Sequence, residues 1–206
     1  MLYRVVITSQ PTVELVTKNE LRLQARTLFP GEDDPFEGAE DDLLDTILQS
    51  AVDELDAPVG HLGRSLMQRE CRLLVDSHPE KEILIPHPPI ISIDEIKYID
   101  TNEAEQTIDL SDVNIDITDP NDAGRLWHKS AWPSMSNRPG RMWVDYTAGY
   151  ATAAEVPAVI RHAILIKAAT YYRDRESTIV GTITAQHEHI SRMLDNYRHK
   201  TSYPPK

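Results

Sequence analysis

The sequence predicts an α+β protein: a small helical bundle formed by N- and C-terminal helices, with an inserted antiparallel β module that is sandwich or barrel-like. Three observations carry this. Apolar residues recur at helical spacing from Leu43 to Leu55, at a period of two from Met67 to Thr147, and at helical spacing again after Pro157. Turn residues cut the middle stretch into short pieces. From Val144 to Leu165 (VDYTAGYATAAEVPAVIRHAIL) a strand, a hinge and a long helix follow one another. The units are then residues 1–66, an N-terminal helical part; 67–150, the inserted β module; and 151–206, the helices that complete the bundle and end in a tail.

Taken in order, Tyr3 to Thr8 (YRVVIT) has the residues of a short strand. Thr17 and Glu20 form a capping box, which predicts a helix to about Leu28, stopped by Phe29-Pro30-Gly31. Residues 31–38 (GEDDPFEG) read as an acidic loop. The next helix carries an apolar stripe of Leu43, Leu44, Ile47, Leu48, Ala51, Val52 and Leu55. Asp41 and Asp42 complement its dipole, Asp45, Asp53 and Glu54 occupy its other side, and Pro58 and Gly60 close it.

From Met67 the strands expected are Gln68 to Val75, Glu82 to Ile85, Ile91 to Asp100, Gln106 to Asp109, Asn114 to Ile117, Arg125 to His128 and Arg141 to Thr147. A hairpin turns at Asn102-Glu103, and Trp127, Trp132 and Trp143 supply core or rim. Gly149 ends the last strand, and Pro157 opens a helix at a position where a missing N–H costs nothing. That helix runs from Val156 to about Arg175 with a wide apolar arc, so it is expected to be central. A β-branched linker broken by Gly181 leads to an amphipathic segment, Ala185 to Tyr197, bearing Ile190, Met193, Leu194 and Tyr197.

Composition excludes several classes of function. The chain has 206 residues, 40% hydrophobic and 26% charged, which suits a soluble protein with a real core. It holds no apolar run of the length a membrane helix needs. MLYRVVITSQP lacks the features of a signal peptide. The net charge of −12 argues against tight binding to DNA or RNA. The charge is uneven: from Glu32 to Asp56 there is no Lys or Arg, while the chain after Pro157 is mildly basic. Such asymmetry suits head-to-tail contacts between identical subunits.

No motif points to chemistry. The phosphate loop, the dinucleotide fingerprint and the nucleophile elbow are all missing. His187, Glu188 and His189 are too closely spaced on a helix to share a metal, and His78 and His87 read as exposed residues of proline turns. Cys71, the single cysteine, reads as a reduced core residue. No enzyme, cofactor or metal is expected.

Pro88-Pro89-Ile90 with Ser92, Ile96, Tyr98 and Asp100, then YTAGYA at Tyr146 to Ala151, then Val156-Pro157 with Ile160-Arg161 and Ala163-Ile164, resemble the gp8-like (gp6-like) family of head–tail connector, or adaptor, proteins of tailed bacteriophages. The acidic helix from Asp41 and Gly63-Arg64-Ser65-Leu66 fit the same pattern, so the resemblance spans Val16 to Arg198. It implies a structural virion protein at the head–tail junction, assembled in the bacterial host cytoplasm. Such a protein forms a ring, typically of twelve copies, between the portal above and a stopper or tail component below. Double-stranded DNA passes through the ring without specific binding. The resemblance further implies a portal contact by the C-terminal segment, here Arg192, Met193, Leu194, Tyr197 and Arg198. An acidic face made of Asp41, Asp42, Asp45, Asp53 and Glu54 would line the channel or meet a neighbour. Two other readings stay open: a tail-completion or stopper protein one ring lower, and a small-ligand or carbohydrate-binding module with the tryptophans as a platform.

Overall fold

Alternation of buried and exposed residues builds the β part, and a Pro- and Gly-punctuated joint ties it to the helices. The computed structural model describes residues 3–25, 41–174 and 186–199. Among these, the strands are β1 (Tyr3–Ile7), β2 (Arg69–Val75), β3 (Glu82–Ile85), β4 (Ile90–Ile99), β5 (Glu105–Ile108), β6 (Val113–Asp116), β7 (Gly124–His128) and β8 (Met142–Ala148). The helices are α1 (Lys18–Ala25), α2 (Asp41–Asp53), α3 (Ala158–Arg173) and α4 (Gln186–Leu194), the last followed by a short 3-10 turn at Asp195–Tyr197. The expected loop at 31–38, the residues to Leu28 and the linker around Gly181 lie outside the described residues.

The strands form two antiparallel sheets, one of five in the order β1-β2-β8-β4-β5 and one of three in the order β3-β7-β6. They do not close into a barrel. The inner faces share one core. Leu73, Val75, Met142, Val144 and Tyr146 of the large sheet meet Ile83, Ile85, Val113 and Leu126 of the small one. The fold is α+β, as the sequence predicts. β1 falls within residues 1–66, yet it pairs with β2 in the large sheet, Val5 opposite Leu73 and Ile7 opposite Cys71. The chain then turns back, and Leu15 and Val16 enter the helical core.

That second core is built by the helices. Leu44, Ile47, Leu48 and Ala51 of α2 pack with Ile160, Ala163, Ile164 and Ala168 of α3. The stripe read from sequence is buried apart from Val52, which is half-buried, and Leu43, which stays 38% exposed at its edge. The capping box forms: the Thr17 N–H donates to Glu20 Oε2 at 2.7 Å and the Glu20 N–H to Thr17 Oγ1 at 3.3 Å.

Two glycines set the joint. A Cβ at Gly60 would stand 2.2 Å from the Asp56 carbonyl oxygen, so only glycine lets the chain fold back under the end of α2. Gly149 has φ +105°, and a Cβ there would stand 2.2 Å from the Met67 carbonyl. There β8 leaves the sheet across the start of β2, with the Gly149 N–H donating to Pro89 O at 2.8 Å and the Gln68 N–H to Tyr150 O at 2.9 Å.

Candidate interaction surfaces

The acids of α2 divide into two groups. Asp41 is paired with Arg22 at 2.7 Å and Lys18 at 3.5 Å, and Asp45 with Lys18 at 3.2 Å. The hydrogen bond to Asp45 comes first among the causes that raise the Lys18 pKa. Just past the far end of the helix, Glu54 accepts from Lys167 at 2.5 Å and from the Tyr171 hydroxyl, tying the end of α2 to α3. Burial and this carboxylate together push Tyr171 up to about 12. Asp53 accepts only from Gln49, at 2.7 Å, and Asp42 is exposed without an ion pair among the described residues. So the cations of α1 and α3 neutralise Asp41, Asp45 and Glu54. The outward negative charge of this helix rests on Asp42 and Asp53.

The residues named for the portal contact are also divided. Leu194 is 1% exposed and lies with Ile190 in the helical core, and Tyr197 packs against that core. Met193 is half-buried, while Arg192 and Arg198 are exposed. Just beyond, the His199 N–H donates to Leu62 O at 2.8 Å, which fastens the chain to the joint.

The joint contains a polar cluster that sequence reading passed over. Asp56 and Arg69 form a buried ion pair. Asp56 Oδ1 also accepts from the Leu66 N–H at 2.9 Å, and Arg69 donates to Ala57 O at 2.9 Å. Burial pushes the Asp56 carboxyl up, and the Arg69 guanidinium partly offsets it. A signal was available: Arg69 has the parity of Cys71, Leu73 and Val75, so a period of two points it inward. Arg64, 1% exposed, donates to the Tyr150 hydroxyl and to Asn121 Oδ1, each at 3.2 Å. It ties the β6–β7 loop to the helical part. His87 was expected to be exposed; it is half-buried, with Nδ1 3.4 Å from Gly63 O. Burial lowers the pKa of His87 and of His199.

Cys71 is buried and its thiol is pushed up to about 11, mainly by burial, which makes it a poor nucleophile. No group of metal-binding side chains occurs among the described residues; the side chains of His187, Glu188 and His189 lie outside them. Trp127 and Trp132 line one cavity together with His128, and Trp143 stands apart from it. Trp132 is buried, with its Nε1 donating to Lys81 O at 3.3 Å. Trp127 follows inward-facing Leu126 on β7, and Trp143 lies between inward-facing Met142 and Val144 on β8, so the two leave opposite faces of the paired sheets. No helix among the described residues is long and apolar enough to cross a membrane.

This combination of two open antiparallel sheets with a small helical bundle recurs in solved particle structures. Over 98% of both chains, the fold matches a protein in the neck of an empty gene transfer agent (GTA) particle computed with C6 symmetry, at a TM-score of 0.76 and 20% identity. It matches a chain of the native GTA virion over 98% of both chains, at 0.73 and 18%. A third match, in the neck of a native GTA particle computed with C12 symmetry, covers 97% of this chain and 99% of the other, at 0.62 and 16%. At these identities the likeness establishes the fold. No family model and no curated protein matches the chain.

Proposed function

We propose that this chain is a non-enzymatic structural protein of a phage-like particle, a head–tail adaptor of the neck. The observation that carries the reading is the likeness to GTA neck chains over almost the full length of both partners, at a TM-score of 0.76. A likeness spanning both the helical part and the β module means that the whole architecture is shared. The symmetry of those particles supports a ring of identical copies, and twelve is the number we propose. In this reading the ring sits on the portal, extends the DNA channel and receives a stopper or tail component below. DNA crosses it without specific binding, because net negative charge repels phosphates. Asp42 and Asp53 carry the outward charge of the acidic helix. Arg192, Met193 and Arg198 make the portal contact from the exposed side of the segment whose buried side, Leu194 and Tyr197, completes the bundle.

Electron microscopy and native mass spectrometry of this chain co-expressed with the portal protein encoded near it test the proposal. The expected result is a ring of this chain stacked coaxially on the portal. A persistent monomer that ignores the portal overturns it. A ring that binds only a preassembled portal–adaptor complex moves the chain one position lower, to the stopper.

A further inference from the structure

We propose that copies in this ring are joined by strand addition: the free edge of β1 in one copy pairs with the free edge of β5 in the next, so the five-stranded sheet continues from subunit to subunit. The inference rests on the ring reading above.

The argument begins with the hydrogen-bond parity of the sheet. The Thr8 N–H donates to Glu70 O at 3.0 Å. In an antiparallel ladder bonded pairs alternate, so Val6 bonds Arg72 and Arg4 bonds Leu74. The N–H and C=O groups of Val5 and Ile7 therefore point off the sheet. At the other edge the Asp100 N–H donates to Ala104 O at 2.9 Å, which makes Tyr98–Gln106 and Ile96–Ile108 the bonded pairs. Glu105 and Thr107 then turn their backbone groups outward. An independent bond agrees: the Ile99 N–H, opposite Glu105, donates the other way, to Arg141 O at 2.8 Å.

Neither edge strand is broken by a kinking residue, although β5 is only four residues long. Neither YRVVI nor EQTI contains proline or glycine. Val6 is 43% exposed. Among the described residues no strand covers either edge. The edges differ from each other, so pairing between them is head-to-tail and propagates around a ring instead of closing a two-fold dimer. Every neighbour in the sheet is antiparallel, so β1 and β5, four steps apart, run the same way. A copy rotated about an axis along the strands thus offers its β1 parallel to β5. The charges fit. Arg4 and Glu105 lie on the outer face, since Leu73 and Val75, which flank Arg4's partner Leu74, are buried, and Glu105 reaches Lys97 on that face. Arg4 of one copy then stands near Glu105 of the next, which already lies 3.2 Å from Lys97 of its own chain.

Proline discriminates, because it removes one N–H. Thr107→Pro and Val5→Pro delete donors that the folded chain does not use. Each variant, co-expressed with the portal protein, is compared with the wild type by native mass spectrometry, and folding is followed by circular dichroism. The expected result is folded protein whose ring yield falls about tenfold or more. Chains carrying Thr107→Cys with either Arg4→Cys or Val6→Cys keep the ladder intact and are expected to give a series of disulfide-linked multimers on oxidation. Wild-type ring yield from both proline variants, or multimers from neither cysteine pair, overturns strand addition while leaving the adaptor reading in place. A wild-type chain that forms no ring, alone or on the portal, overturns both.

Discussion

His87 shows how one residue at the joint couples protonation to folding. It sits in a left-handed turn with φ 65°, half-buried near Gly63, and it faces Arg69 and His199. Desolvation holds its pKa below the ordinary imidazole value, as it does for His199, whose other charged neighbours are Arg64 and the opposing Asp122. The sign follows from linkage. Above about pH 6.5 neither folded nor unfolded chain protonates His87, and stability is full. As the pH drops below that, the unfolded chain takes up a proton that the folded chain refuses, and stability falls until the lowered folded-state pKa is reached. The slope from this residue is at most about 1.4 kcal/mol per pH unit. His87→Asn, which tolerates the same backbone, should flatten the fall in melting temperature between pH 7 and pH 5. An unchanged pH profile in that variant would sink the assignment.

The same arithmetic of neighbours governs α2 at the scale of the element. Its sequence suggests an acidic surface, but two of its acids and the Glu54 that follows it work inside the chain. Asp41 and Asp45 clamp α1, and Glu54 clamps α3. Exposed pairs contribute little individually, yet reversal converts attraction into repulsion. The double change Asp41→Lys, Asp45→Lys should cost about 1–2 kcal/mol of stability. Asp53→Lys should stay within about 0.5 kcal/mol of the wild type, because a cation suits the last turn of a helix. Urea unfolding of the two proteins separates the roles. Equal stability would show that the clamps contribute nothing. Only a stable variant such as Asp53→Lys can report on a channel or a neighbouring subunit, through the DNA-delivery titre of assembled particles.

Across the whole molecule, the terminal segment has two sides with different duties. Leu194→Ala opens a cavity in the helical core and should cost about 2–4 kcal/mol. Arg198→Glu should leave the melting temperature unchanged while weakening co-purification with the portal. If Arg198→Glu stacks normally in electron microscopy, the exposed side of the segment is not the portal contact. Deleting everything after Gly181 cannot decide the matter, since it removes Ile190 and Leu194 from the core along with the arginines.

By itself the sequence determined whatever depends on local periodicity and turn chemistry. The helical spacing of Leu44, Ile47, Leu48 and Ala51 revealed α2. Alternation from Arg69 to Val75 and from Met142 to Ala148 revealed two central strands within a residue of their ends, and Thr17 with Glu20 marked the start of α1. Each signal involves residues a few positions apart, whose geometry one turn or one pleat dictates. Tertiary structure alone decided which strands become neighbours: β1 beside β2, β8 between β2 and β4, and therefore which edges stay open. It decided that Asp41 answers to Lys18 and Arg22, that Leu194 is core, and that Trp127 and Trp143 face apart. It also gathered Asp56 with Arg69, and Arg64 with Asn121, at the joint. These are contacts between residues far apart in the chain, and no local period encodes them. They depend on which apolar faces bury each other, and those faces meet only when the whole chain has folded.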